Sequence, residues 1–395
     1  MADLPGGASN SATKTQPCTL RELLWYFLAL GTFGFGGPIA LAGYMQRDLV
    51  EDRRWFSMED YKEGLALSQL SPGPLAAQLA KYLGWVRAGA LGATLVALAF
   101  VGPSFLMVLA ISWLYLHFGG LPWIQALFYG IGAAVIAIIG RSAYKLARAT
   151  VNRDPVLIGL FVVSAVVTGW TEKEYIWLFF GCGFVAMTAK SLRSAAAPFS
   201  ALIAFPLWLT SGISGPRASE LPRIAWYFAE AGAFVFGSGL AIVPFLHGGV
   251  VDQFHWLNER QFLDAVAVAM ITPGPVVITV AFIGFLVAGF SGAVVSAIGV
   301  FLPPYLIVIF LAPHFRRWSG NAKVKTFVAG VTAAAAGAIG GAAYVLGRRA
   351  IIDIPTVVIA LVALAILTKT KKVPEPLLIL SAGLVGLLLH PAVPH

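Results

Sequence analysis

The chain has 395 residues, of which 58% are apolar and only 11% charged, whereas soluble domains are roughly 45–50% apolar and about 25% charged. This excludes a water-soluble globular protein, and nearly uncharged stretches of about 18 to 25 residues are long enough to cross a bilayer core as helices. The net charge of +9 comes from short basic clusters between apolar runs, which reads as a set of topology signals and not as a nucleic-acid surface.

In chain order, residues 1–20 form a polar Gly/Ser/Thr-rich tail with no apolar stretch, a solvated cytoplasmic segment and not a signal peptide. Thirteen spans then follow, at 23–46, 62–85, 89–117, 122–145, 155–170, 175–189, 198–213, 224–247, 262–285, 290–313, 323–346, 351–368 and 376–390. Three of them, near 155, 175 and 198, are short, which leaves a range of 11 to 14. A β-barrel is excluded because long runs such as 91–111 do not alternate. The expected fold is an all-α polytopic membrane protein. With the N-terminus in the cytoplasm, 18 of the 27 Lys and Arg fall on that side and the C-terminus is periplasmic. Trp25, Trp113, Trp123, Trp170 and Trp177 lie at span ends, where amphipathic rings favour the interface.

The chain repeats itself. At a shift of 201, Tyr26-Phe27 meets Tyr227-Phe228, Gly31 meets Gly232, Trp55 meets Trp256, Glu63 meets Asp264, and SPGP at 71–74 meets TPGP at 272–275. After a one-residue slip, Gly84, Gly89, Gly92 and Pro103 meet Gly284, Gly289, Gly292 and Pro303 at a shift of 200. Two homologous halves, 21–213 and 224–395, follow. Seven spans before the second copy, an odd number, would insert the copies in opposite orientations. Such an inverted repeat is a recurrent architecture of secondary transporters.

The Pro-Gly-Pro motif lies inside spans two and nine, so Pro72, Gly73 and Pro74, and likewise Pro273, Gly274 and Pro275, are expected to break their helices. A broken helix in lipid must face protein or a water-filled cavity, and its restarting N-terminus suits an anion. Ser71 and Thr272 add hydroxyls there, and Gln78 and Thr279 follow one to two turns later. A second break is expected at the glycine-rich run FGFGGP, with Gly36, Gly37 and Pro38, mirrored by FVFGSG, with Gly237, Ser238 and Gly239. Plain helix packing also uses such glycines and kinks, so both readings stand.

Between these elements the connector at 46–64 is dense in charge. Arg47, Arg53 and Arg54 are positioned to recruit an anion, although the neighbouring carboxylates nearly cancel that field, and a solvated amphipathic connector fits equally. Ionisable groups at membrane depth are few. Lys81 either neutralises a dianion or snorkels to the interface, and Glu230 either exchanges a proton or snorkels. Glu51, Glu63, Glu230 and Asp264 are the proton-coupling candidates, with Glu63 and Asp264 also acceptable as ordinary helix-start acids. His117, His247 and His314 sit at span ends without ligand spacing, and no metal site is expected. GFGG at 34–37 lacks the Lys and Ser/Thr of a phosphate loop, and no G-x-S-x-G or H-E-x-x-H occurs, so neither an enzyme nor a cofactor is expected.

The run from Phe35 through SPGP, and its partner from Phe236 through TPGP, resemble the two copies of the long-chain chromate transporters, the chromate ion transporter family. The resemblance covers nearly the whole chain. It implies a bacterial inner-membrane carrier exporting chromate against a proton gradient, conferring chromate resistance. Its motif positions fall here on Phe35, Gly36, Gly37, Pro38, Glu51, Arg53, Arg54, Trp55, Gln69 and Pro72–Pro74, and on Gly237, Gly239, Trp256 and Pro273–Pro275. Ser71, Lys81 and Ser238 depart from the expected pattern, which bears on selectivity. A carrier for sulfate or another oxyanion, importing or exporting, and an anion channel are the competing readings; protons and the lipid bilayer are the other implied partners, and a homodimer is an expectation only.

Overall fold

The computed structural model describes residues 16, 18–35, 37–118, 121–151, 154–171, 176–192, 220–234, 239, 242–315, 321–351, 353–370 and 373–389. Among them the chain forms fourteen α-helices and no strand. The first half holds α1 (Leu20–Phe33), α2 (Gly37–Met45), α3 (Met58–Leu70), α4 (Leu75–Phe118), α5 (Pro122–Val151), α6 (Pro155–Thr171) and α7 (Ile176–Leu192). The second half repeats this order with α8 (Glu220–Phe234), α9 (Ile242–His247), α10 (Glu259–Ile271), α11 (Thr279–Leu311), α12 (Ala322–Ala350), α13 (Ile354–Lys369) and α14 (Glu375–Leu389). The expected span at 198–213 lies outside the described residues.

Local chemistry sets equivalent elements at equivalent places. Ser57 caps α3 by accepting from the Asp60 amide at 3.0 Å, and Asn258 caps α10 by accepting from the Gln261 amide at 2.9 Å. Just before them, π-helical turns at Gln46–Asp52 and Gly248–Gln253 end in Arg54 and His255, both with positive φ (54° and 50°). There the amides of Trp55 and Trp256 donate to Leu49 and Val250 carbonyls, each at 2.8 Å. The charged connector is therefore a folded turn whose backbone is the same in both halves, although its charges differ.

Glycine makes the next feature possible. Helix α4 doubles back at Ala88 and Gly89, where Gly89 has φ 59°, and α11 doubles back at Ala288 and Gly289, φ 64°. The arms of each hairpin touch through backbone: a Cβ on Gly84 would lie 2.5 Å from the Gly92 carbonyl oxygen, and one on Gly284 2.3 Å from that of Gly292. Spans two and three are thus the arms of one hairpin, as are spans nine and ten.

Packing across the halves is reciprocal. Helix α5 packs on α13 and α14, while its repeat-mate α12 packs on α6 and α7, so each half takes the terminal helix pair of the other. Tyr129 on α5 donates to Asp353 at the start of α13 at 2.5 Å, and Thr94 on α4 bonds Tyr305 on α11 at 2.7 Å. The outer surface is apolar, with Leu98, Leu106, Val166, Leu361 and Leu384 exposed, as a lipid-facing wall requires. The five tryptophans expected at the interface are all exposed as well. The helices at Leu75–Phe118, Pro122–Arg148, Val276–His314 and Ala322–Ala350 are long and apolar enough to cross a membrane.

Replacing Gly84 with Val should lower the melting temperature of the detergent-solubilised protein by several degrees, because overpacking costs about 1–3 kcal/mol. Gly102→Val, where a Cβ meets nothing within 4 Å, should not. Thermal unfolding followed by intrinsic fluorescence checks both.

Candidate functional site

The helices break where the prolines sit. Helix α3 ends at Leu70, Gly73 takes φ 114°, and α4 restarts at Leu75; α10 ends at Ile271, Gly274 takes φ 95°, and a 3₁₀ turn at Val276–Ile278 leads into α11. The left-handed φ explains why glycine stands between the prolines. Each break leans on the opposite half at an equivalent residue. A Cβ on Gly73 would meet Pro304 at 2.7 Å, and one on Gly274 would meet Ser104 Oγ at 2.1 Å. Ser104 and Pro304 are repeat-mates at the shift of 200.

That substitution makes the two breaks chemically unlike. At the second break Ser104 Oγ donates to the Pro273 carbonyl at 2.6 Å and the Gly274 amide donates to the Gly34 carbonyl at 3.2 Å. The glycine-rich run of the first half is thereby tied to the Pro-Gly-Pro of the second. Pro304 has no hydroxyl to offer the first break. Instead Gln78 Nε2 donates to Ser71 Oγ at 3.2 Å and to the Pro72 carbonyl, capping the break from within its own half.

The first break also holds two unsatisfied groups. Gln78 is fully buried, Ser71 and Lys81 are each 2% exposed, and among the described residues neither Gln78 Oε1 nor Lys81 Nζ has a hydrogen-bond partner. Lys81 lies three residues beyond Gln78 on the same face of α4. Snorkelling to an interface is not what this buried side chain does. Its repeat-mate Ala281 carries no charge.

Other expected site residues are placed differently. Gln69 is exposed. Thr272 and Thr279 turn their hydroxyls to the carbonyls of Ala269 (3.1 Å) and Val276 (2.7 Å) in their own turns, since a threonine on a helical stretch readily bonds back to the preceding turn. Gly37 opens α2 with φ 77°, Pro38 follows it half-buried, and a Cβ on Gly239 would lie 3.5 Å from Val276 beside the second break; Gly36, Gly237 and Ser238 lie outside the described residues. Arg47 pairs with Asp48 at 2.8 Å, and Arg53 lies over the Trp55 and Tyr26 rings at 4.7 and 5.5 Å, so both are engaged in the connector; Arg54 supplies its turn. Glu51 is exposed and accepts from Gln46, while Glu63 and Glu230 are half-buried. Asp264 is 5% exposed and accepts from Tyr115 Oη at 2.7 Å.

His247, expected only as one of three span-end histidines, lies in a cluster with acids. The π-helical turn folds the chain back so that His247 bonds Glu259 (2.9 Å) and lies 3.3 Å from Asp252, ligand-type atoms that all fall within 4.8 Å of one another. Arg349 on α12 pairs with Glu259 and lies 3.9 Å from Asp252, so a guanidinium already supplies positive charge there. Neither Ser104, Tyr115 nor this cluster was read from sequence. Only Ser104 left a trace, as a mismatch with Pro304 beside the matched Pro103 and Pro303.

The family described as Chromate transporter matches residues 21–187 and 222–387, one match in each half. A chromate transport protein of Cupriavidus metallidurans is 55% identical over 393 residues, covering 98% of each chain. A probable chromate transport protein of Synechococcus elongatus is 54% identical over 96% of this chain and 98% of its own. A chromate transport protein of Pseudomonas aeruginosa is 30% identical over 98% of this chain and 97% of its own. No solved structure matches. Two broken-helix repeats in a multi-pass membrane protein, each matched by the same family, make this chain a member of the chromate transporter family.

Proposed function

We propose that the chain is a secondary carrier that exports chromate from the cytoplasm across a bacterial inner membrane by proton antiport, with its N-terminus cytoplasmic and its halves inverted. The observation that carries this reading is the buried Lys81 ammonium, unpartnered among the described residues, behind the first Pro-Gly-Pro break. An isolated charge in an apolar interior costs several kcal/mol unless something pairs with it. A tetrahedral dianion supplies that pairing. Chromate seated at the first break would meet Lys81, the amide face opening α4, and the Gln78 amide once it leaves the Pro72 carbonyl. The names of the relatives supply the identity of the oxyanion.

Alternation follows from the second break. Its two bonds across the halves, from Ser104 and to Gly34, hold one side shut. Rocking one half against the other parts them and opens the opposite side.

Everted membrane vesicles with an acidic interior should accumulate chromate, and the double variant Pro72→Ala, Pro273→Ala should not; excess sulfate in the same assay reports selectivity. Flux that saturates and follows the pH gradient supports a carrier, while single-channel currents in planar bilayers would replace it with a channel. Lys81→Met should weaken chromate affinity by about 10- to 100-fold, the worth of a hydrogen bond to a charged group, while leaving thermal stability unchanged or higher, since the unpaired buried cation is gone. Radiochromate binding and thermal unfolding measure the two effects. Ser104→Ala should shift the balance of open and closed states by about 1 kcal/mol, detected as altered chromate exchange rate with unchanged chromate affinity.

A further inference from the structure

We propose that the two halves divide the work: the first break takes the anion, and Asp264, held by Tyr115, takes the coupled proton. The inference rests on the proton-antiport reading above and deepens it.

Four carboxylates were candidates, and burial separates them. Glu51 is exposed, Glu63 and Glu230 are half-buried, and Asp264 is 5% exposed. Helix α10, which carries Asp264, packs on α4, α5, α11, α14, the 3₁₀ turn and the π-helical turn. Helix α4 presents Tyr115, whose hydroxyl donates at 2.7 Å and whose ring packs on Phe128 of α5 and Phe282 of α11 at 5.7 and 5.2 Å. The 3₁₀ turn presents Val277 and Ile278, and α14 presents Leu378, Ile379 and Ala382, all apolar and buried. The π-helical turn carries Asp252, which faces His247 and Arg349. On its own helix, Arg260 lies one turn earlier, exposed and bonded to Gln125 at 3.4 Å. No ion pair to Asp264 occurs among the described residues. An ionised carboxylate so placed has one hydroxyl donor and no salt bridge, which makes proton binding the inexpensive way to remain buried.

The repeat shows that this arrangement is particular to one half. Glu63 is the mate of Asp264, and Phe315, without a hydroxyl, is the mate of Tyr115 at the shift of 200. Lys81 shows the opposite pattern, with Ala281 as its mate. The cation therefore belongs to one half and the buried acid with its donor to the other. Tyr115 lies on α4, the helix that carries Lys81 and Ser104, so the acid of the second half is bonded to the half that would move with the anion. Exposed Arg260, one turn away, lies on the cytoplasmic side of the proposed topology, where the proton is released. In the step itself an O–H bond forms on the Asp264 carboxylate with a proton from hydronium of the acidic periplasmic side, which becomes water, and after the halves rock that O–H bond breaks, passing the proton to cytoplasmic water.

The test uses the full-length protein in liposomes, with two readouts: chromate exchange at equal pH, and chromate accumulation driven by a pH gradient. Wild type should do both. Asp264→Asn should retain exchange and lose gradient-driven accumulation, and Tyr115→Phe should retain both but displace the pH at which accumulation is half-maximal. Undiminished accumulation by Asp264→Asn, or a folded variant that loses exchange as well, overturns the division of labour. If Asp264→Asn does not fold, Tyr115→Phe decides, and an unchanged pH profile overturns the proposal. Wild-type exchange without any accumulation driven by the pH gradient would instead overturn proton antiport itself, leaving no proton for Asp264 to carry.

Discussion

Interrupting a helix inside a membrane frees backbone groups that lipid cannot bond, at a cost of several kcal/mol for each one left unmet. The rest of this molecule is arranged around meeting that cost at two Pro-Gly-Pro breaks. Each is set by a pair of prolines around a glycine of positive φ, and each is pressed against the opposite half, at Pro304 and Ser104. The hairpins of α4 and α11, closed by glycine pairs whose backbones touch, carry those partner residues to the breaks. The exchange of terminal helix pairs between α5 and α12 then joins the two halves.

Duplication would make the two breaks equivalent, and a few side chains undo the equivalence. Ser104 offers a donor where Pro304 offers none, so one break is bonded across the interface and the other is capped from within by Gln78. Lys81 places a cation behind the self-capped break, and Tyr115 places a donor on the acid below the other. The asymmetry gives one half a buried cation, Lys81, and the other a buried acid, Asp264.

The His247, Asp252, Glu259 and Arg349 cluster belongs to the same logic of compensation. A buried imidazole lies among two carboxylates and a guanidinium, which joins the connector of the second half to α12. In the first half the equivalent turn is held by Gln46 and Glu51 at 2.9 Å. The same backbone turn thus tolerates two different charge sets, because its own amide bonds define it.

Much of this was legible in the residues alone. Composition decides the solvent, since a chain with so little charge cannot bury its apolar surface in water-soluble form. The self-match from Tyr26 to Pro103 decides duplication, and proline inside an apolar run decides where the helices break, because a missing amide and a ring clash are local facts. What stayed hidden was every contact that depends on which residues meet after folding. The bonds of Ser104 to Pro273, 169 residues apart, and of Tyr115 to Asp264, 149 apart, have no local pattern. Gln69, Thr272 and Thr279 looked as eligible as Gln78, yet only Gln78 turns into its break, because side-chain direction on a helix and the competing bond to the preceding turn are settled by packing. The sequence by itself determined the membrane, the repeat, the two breaks and the half in which each charge stands; the tertiary structure alone decided that Lys81 and Asp264 are buried and what they meet, since burial is a property of neighbours and not of the residue.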